Sequence, residues 1–509
     1  AFRLDGAQLG LPSGFYLLTD VWRPRTIASR GTTCPSRSAI PDTRNYHFQA
    51  DRTNACSKVN HSMWLSPRAK GIGDCRPRCR IVDECGSSVI AARSVECAKI
   101  AWHPSLDNAR SFPLSRQRPN IIWICTEHQR GDTIGALGND VIRTPNLDRL
   151  VATGTAMTRA YSQATVCTPS RASFLTGRYP TTTRCRQNGQ DMPTTETLII
   201  KDLRDHGYDC GLVGKLHISH AEDGWEPRID DGYDFYQWSH GSTAKHGGAW
   251  VKWLETRGKT FDDVYERSEA PLSYRVKDAR FHQCHWCIDQ GIEFIRTRGQ
   301  SPWLLSINPF SVHDPYEYIQ EDFAAYDPDL IGDPLFLPVE QATKPVNQQQ
   351  EKDARLYDLP GPYDTLTKDQ LRQMRRAYYA AVTFMDRQVG RLLDFLETNA
   401  LRENTLIVFH SDHGDMQGDH GLFRKGAAMY DPVVRAPLIF SMPGTIPQGK
   451  ISEALCGLID IAPTFYELLG LEIPPRIQGK SLLPILTGDR PDSEHREGIY
   501  AEYYNCNSA

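Results

Sequence analysis

From Arg118 onward, five short apolar runs stand apart with helical patterns between them, and this alternation constrains the fold more than any other feature. The runs are Asn120-Ile-Ile-Trp-Ile-Cys125, Asp209-Cys-Gly-Leu-Val213, Trp303-Leu-Leu-Ser-Ile307, Thr405-Leu-Ile-Val-Phe409 and Pro437-Leu-Ile-Phe440. Continuous apolar runs of about five residues suit strands covered on both faces. Leu371, Met374, Tyr378, Val382, Met385, Val389, Leu392 and Leu396 recur at spacings of three and four, which predicts a helix over 369–398. Strands alternating with helices predict an α/β domain, a mostly parallel central sheet with helices on both faces. Residues 325–365, rich in Pro, Asp and Gln, read as a long surface excursion.

In such sheets ligands bind outside the carboxyl ends of the strands. The residues just after four of the runs are polar or ionisable: Thr126-Glu127-His128-Gln129, Gly214-Lys215-Leu216-His217, Asn308-Pro-Phe-Ser-Val-His313-Asp314-Pro315 and His410-Ser-Asp412-His413-Gly-Asp415. A single histidine there is commonly structural, but four such sets at one rim predict a site.

The first 117 residues follow a different logic. They carry 17 basic against 9 acidic residues, whereas the remainder carries 41 against 53. They also hold six of the 14 cysteines, among them Cys75, Cys79 and Cys85, whose spacing fits no paired zinc pattern. No sustained periodicity runs through them, so residues 1–117 read as a poorly patterned basic extension outside the enzyme fold. Neither the net charge of −4 nor these scattered basic residues predicts a nucleic-acid partner. No apolar run approaches the roughly 18 residues that cross a bilayer. Nothing at the start resembles a signal peptide, and cysteines without evident pairing in 118–509 point to a reducing, cytoplasmic compartment.

The most informative local pattern is Cys167-Thr-Pro-Ser-Arg171 followed by Ala172-Ser-Phe-Leu-Thr-Gly-Arg178. Thr168 is expected to cap a helix whose first turn holds Pro169 and whose stop is Gly177. Cys167 then lies at the positive end of a helix dipole, where an anion is favoured. Cys-x-Pro-x-Arg followed by Ala-x-x-x-Thr-Gly-Arg resembles the signature of the type I sulfatases. Arg118-Pro-Asn-Ile-Ile, Thr144-Pro-Asn-Leu-Asp-Arg-Leu150, Gly214-Lys-Leu-His217, His410-Ser-Asp-His-Gly-Asp415 and Lys425 resemble further motifs of that family, in order, so the resemblance covers about 118–490.

The resemblance implies an alkaline-phosphatase-like fold and hydrolysis of sulfate monoesters of a sugar or aryl alcohol. The nucleophile is implied to be formylglycine, made from Cys167 by a formylglycine-generating enzyme and acting as its hydrate. Glu127, His128, Asp412 and His413, with residue 167, are implied to hold a divalent cation, calcium by family habit. The family normally has Asp at the first of these positions and Asp or Gln at the second. Glu is longer, and the nitrogen of His128 favours manganese or zinc; with a different register, Asp132 would contribute. Arg171 and Lys215 are implied to fix the hydrate and the sulfate oxygens. His217 is implied to take the proton that expels sulfate, and His313 and Lys425 to contact sulfate and protonate the leaving alcohol.

Two clusters read as decoys. His282-Gln-Cys284-His285-Trp-Cys287 falls in a helical segment and lacks a second cysteine pair. His240 and His246 flank Gly-rich text and read as a loop near the pocket mouth. The catalytic domain is expected over 118–497. Residues 498–509 read as the first strand of a truncated C-terminal subdomain, with Gly498-Ile-Tyr-Ala-Glu-Tyr as an unpaired edge. The competing readings are a phosphonate monoester or phosphodiester hydrolase of the same superfamily, and an inactive truncated homologue.

Overall fold

A computed structural model of the protein describes residues 118–504, apart from 222–224, 242–247, 300 and 354–365. The N-terminal segment 1–117, His246, the end of the 325–365 excursion and residues 505–509 lie outside the described residues.

Each of the five apolar runs forms a strand of one eight-stranded sheet. Numbered along the chain, the strands are β1 (Asn120–Thr126), β2 (Thr155–Met157), β3 (Asp209–Gly214), β4 (Phe235–Trp238), β5 (Trp303–Asn308), β6 (Thr405–Ser411), β7 (Leu438–Ser441) and β8 (Lys450–Ser452), in the spatial order β8-β2-β7-β6-β1-β5-β3-β4. Strands β6, β1, β5, β3 and β4 are parallel. The fifth predicted run, β7, pairs antiparallel with β6 and β2, so the sheet is mostly rather than wholly parallel.

The continuous apolar runs are explained by what lies on each face. Ile121, Trp123 and Cys125 pack on one side with Phe174 and Leu175 of α2 (Cys167–Thr176) and with Ile461 and Phe465 of α5 (Ile461–Leu468). Their neighbours Ile122 and Ile124 pack on the other side with Leu147 and Leu150 of α1 (Pro145–Ala152) and with Val389 and Leu392 of α4 (Lys368–Thr398). Successive strand residues point to opposite faces, so a sheet covered twice needs an apolar residue at every position. All seven residues of β1 are buried. Burying each large apolar side chain stabilises the fold by about 1.5–3 kcal/mol.

The long predicted helix is α4, opened by a capping box in which Thr367 accepts from Gln370 N–H and the Gln370 side chain accepts from Thr367 N–H. Its Asp386 is fully buried and caps a second helix. Asp386 accepts hydrogen bonds from Asn146 N–H at 3.0 Å, Leu147 N–H at 2.7 Å and Asn146 Nδ2 at 2.8 Å, satisfying the first turn of α1.

Two local expectations are corrected. The α2 helix begins at Cys167 with Val166 at its cap, and Thr168 makes no capping bond. Asn188 does that work from a distant loop, its Oδ1 accepting from Thr168 N–H at 2.9 Å. The stop is as expected: Gly177 has φ 67°, a left-handed conformation that glycine adopts without a Cβ penalty. Second, described residues 498–503 form no strand; Glu502 alone makes a parallel bridge with Ala164, donating its N–H to Gln163 O at 2.8 Å. The excursion holds short helices, Pro328–Ile331 and Val346–Asp353, around a 3-10 turn at Pro338–Thr343. Among the described residues, no helix is long and apolar enough to cross a membrane.

Because Asp386 joins α4 to α1 through three donors, Asp386→Ala is expected to lower stability by about 1–3 kcal/mol. Asp386→Asn should lose less, since it keeps one acceptor. Equilibrium denaturant unfolding of the two variants checks both the loss and its order.

Candidate active site

The register of the sheet levels the strand ends. Thr126 lies opposite Ser411, and Gly214 lies opposite Asn308. The residues that follow β6, β1, β5 and β3 therefore emerge side by side at one rim. Gly214 makes this possible at the third position. It has φ 97°, and a Cβ there would stand 2.1 Å from Asn308 O, so only glycine lets the chain turn to present Lys215.

Helix α2 presents Cys167 to this rim from its first turn. The thiol is 1% exposed and donates to Glu127 Oε1 at 2.9 Å. Lys425 Nζ donates to the sulfur at 2.5 Å, and His413 Nε2 lies 3.4 Å from it. Lys215 Nζ pairs with the same Glu127 oxygen. Arg171, one helical turn past Cys167, donates through Nε to Asp412 Oδ2 at 3.1 Å and through Nη1 to Lys215 O at 3.3 Å.

The loops are held by the backbone as much as by side chains. Glu127 N–H donates to Ser311 O at 3.1 Å, and Glu127 O accepts from Val312 N–H at 2.8 Å, which ties the end of β1 to the loop after β5. His128 sits at φ 59°, an uncommon conformation for a non-glycine residue. It is pinned by Asp412 Oδ1, which accepts its N–H at 3.3 Å, and by the Tyr378 hydroxyl of α4, which donates to its carbonyl at 2.8 Å. Its ring centroid lies 3.9 Å from that of His313 and 4.6 Å from that of His413. His313 stacks on Phe310, with Nε2 3.3 Å from Lys425 Nζ.

His217 is also at positive φ, 54°. Its loop is held by the buried Glu226 carboxylate, which accepts from the N–H groups of His217, Ile218 and Ser219 and from Trp238 Nε1. The His217 ring meets His240 edge-on at 4.4 Å. His240 thus lies beside one of the expected site residues.

The electrostatics follow from burial. Burial, then Glu127, pushes the Cys167 thiol up to about 12 against the pull of Lys215 and Lys425. Burial holds His128, His217 and His313 well below the usual imidazole value and His413 down to about 4. Burial opposes the ionisation of Asp412, but His413, Arg171 and Lys215 hold it down at about 2. Arg171, Lys215 and Lys425 thus face Glu127 and Asp412 around a neutral thiol, three basic side chains against two acidic ones. Such a ring favours an anion.

Two groups of side chains share Cys167 and have ligand atoms within 4.8 Å of one another: Glu127, His128, Cys167 and His313, and Cys167, Asp412 and His413. Together they contain every residue expected to hold the cation, with His313 added. The alternative Asp132 is not among them; it pairs with Arg130 at 2.7 Å and is half-exposed. His410 also turns away, its Nε2 accepting from Trp123 Nε1 at 2.8 Å in the core. The decoy cluster is dispersed: Cys284 and Cys287 are core residues, His282 caps helix α3 (Gln283–Arg296) and His285 faces Asp289.

A third group went unassigned in the sequence: His128, Asp314 and Asp415. Asp415 Oδ2 is 3.1 Å from His128 Nδ1, and Arg424 Nε donates to Asp314 at 2.8 Å. A carboxylate adjoining each candidate ligand loop was the readable signal, since ligating histidines usually donate their second nitrogen to one.

The chain is similar to known sulfatases. The Sulfatase family model matches residues 119–471. An arylsulfatase of Clostridium perfringens is 29% identical over 411 residues, covering 76% of this chain and 82% of its own length. An N-acetylglucosamine-6-O-sulfatase of Bacteroides thetaiotaomicron is 28% identical over 432 residues, covering 76% and 74%. The crystal structure of a phosphonate monoester hydrolase of Agrobacterium radiobacter superposes with a TM-score of 0.66 at 25% identity, covering 74% of this chain and 78% of that one. With its alkaline-phosphatase-like sheet and a family match spanning most of the described residues, the chain belongs to the sulfatase family and is a sulfuric ester hydrolase.

Proposed function

We propose that the enzyme hydrolyses a sulfate monoester of an aryl or sugar alcohol through formylglycine made from Cys167. The observation that carries this reading is the placement of Cys167. It opens α2 inside a ring formed by the buried Glu127, His413 and Lys215 and the partly buried Lys425. As its hydrate, formylglycine supplies an oxygen nucleophile where a sulfur now stands. Sulfate release then needs an anion site, a proton acceptor and a proton donor.

The chain's own residues meet these needs. Arg171 is fixed on Asp412, and its buried Nη2 has no hydrogen-bond partner, which leaves a donor for a sulfate oxygen. Lys215 stands beside it, anchored by Glu127. His217 is neutral, and its buried Nδ1 is without a partner, so it can accept a proton. His313 Nε2 and Lys425 Nζ, 3.3 Å apart, can hold a proton between them for the leaving alcohol. Fixed donors in a site shielded from water act more strongly than they would in solution.

Glu127, His128, Asp412, His413 and the modified residue 167 would hold a divalent cation, which polarises the sulfate oxygens when bound. The residues fit such an ion. Glu127 Oε2 and His128 Nε2 are buried without hydrogen-bond partners. Two imidazoles beside two carboxylates favour Mn2+ or Zn2+ over the family's Ca2+.

A second reading, phosphonate monoester hydrolysis, is favoured by the likeness to the Agrobacterium radiobacter enzyme. The two esters present similar tetrahedral anions, so geometry near Cys167 serves both.

Mass spectrometry of the Cys167 peptide, after co-production with a formylglycine-generating enzyme, is expected to find the aldehyde. An active preparation holding only the thiol would overturn the mechanism. Cys167→Ala should lower kcat/KM for an aryl sulfate by about 10³-fold or more, with an unchanged circular dichroism spectrum. Side-by-side turnover of an aryl sulfate and an aryl phosphonate monoester should favour the sulfate; preference for the phosphonate selects the second reading. Chelation should abolish turnover, and Mn2+ should restore more of it than Ca2+.

A further inference from the structure

We propose that Asp415 is a positioning residue that holds His128 in the tautomer and orientation needed to present Nε2 to the cation. The inference rests on the reading that His128 is a ligand, and it adds what makes His128 able to serve. A neutral imidazole has one donor and one acceptor nitrogen, and which is which is decided by the partner of the other.

His128 Nδ1 lies 3.1 Å from Asp415 Oδ2, with both side chains fully buried. Asp314 Oδ1 is more distant, at 3.9 Å, and is already engaged by Arg424 Nε at 2.8 Å. Asp415 is itself fixed: its Oδ1 accepts from Gln417 N–H at 3.0 Å, and its Oδ2 accepts from the Tyr316 hydroxyl at 3.2 Å. A carboxylate held at both oxygens keeps Nδ1 as the donor. Nε2 is then the nitrogen left for the group that contains Glu127, Cys167 and His313, and it is buried with no hydrogen-bond partner.

The neighbouring histidines follow the same arrangement. His413 Nδ1 lies 2.8 Å from Gly414 O, and its Nε2 is 3.4 Å from Cys167 Sγ. His313 Nδ1 lies against Asp314, and its Nε2 faces Lys425. All three rings are anchored at Nδ1 and turn Nε2 inward. His128 does so through the buried Asp415 carboxylate, in a backbone conformation that the Tyr378 hydroxyl and Asp412 enforce.

The test is Mn2+ binding by the full, matured chain, measured by calorimetry with aryl sulfate turnover read in parallel. Asp415→Asn is expected to weaken Mn2+ binding about 10–100-fold while the thermal unfolding profile stays cooperative. In a His128→Gln background the same substitution should change the affinity by less than about twofold, because its effect passes through the imidazole. A full loss that persists in the His128→Gln background assigns Asp415 a merely structural role and overturns the proposal. So does an unchanged affinity in Asp415→Asn, or binding of two Mn2+ per chain, which would make His128, Asp314 and Asp415 a site of their own. Failure of the underlying reading looks different: Mn2+ affinity is then insensitive to His128→Gln itself.

Discussion

Everything at the rim depends on burying two cations, Lys215 and Arg171, against two carboxylates, Glu127 and Asp412. Both cations are at most 1% exposed. Removing one partner of such a buried pair is commonly destabilising by about 3–5 kcal/mol, because it strands the other charge in a poorly solvating interior. The four residues come from α2 and from the chain just after β3, β1 and β6, so the pairing also fixes how these elements meet. The sheet presents the carboxylates, the helix brings the guanidinium, and Cys167 is carried into the same space one turn before Arg171.

That constraint explains why much of the site is held by backbone rather than by side-chain packing. Glu127 is tied at both N–H and C=O to the loop after β5, and Asp412 N–H donates to Thr126 O at 3.2 Å. His128 and His217 are held at positive φ, where a side chain normally strains the chain. Such strain persists when surrounding contacts over-determine it. Tyr378 from α4 does so for His128 and the Glu226 carboxylate for His217. The long helix therefore serves both core and site, packing on the sheet through Val389 and Leu392 and reaching the rim through Tyr378.

The legibility of the site was uneven for identifiable reasons. Glu127, His128, Lys215, His217, His313, Asp412 and His413 were readable because each follows a short apolar run, and position after such a run is a sequence property. Cys167 was readable because its motif is local. Asn188 as the cap of α2, Glu226 under the His217 loop and Asp415 beside His128 were not assigned. Each acts on a residue that another element brings to it, across 20, 9 and 287 positions of chain. Thr168 was a good local candidate for the cap and lost to Asn188. The strand expected after Gly498 had the right alternation, but among described residues 498–503 the one β-bridge is that of Glu502 with Ala164.

By itself the sequence determined the period of the elements, the two-sided burial of the sheet and the identity of the residues at its carboxyl end. These are fixed by the spacing of apolar side chains along one dimension, and the spacing survives any choice of packing. Only the tertiary structure decided strand order, the antiparallel placement of β7, and which charge meets which. It also decided which nitrogen of each histidine faces inward, because that depends on acceptors such as Asp415 Oδ2 and Gly414 O standing within about 3 Å of the other nitrogen. Hydrogen bonds select at that distance, and the order of residues along the chain does not specify it.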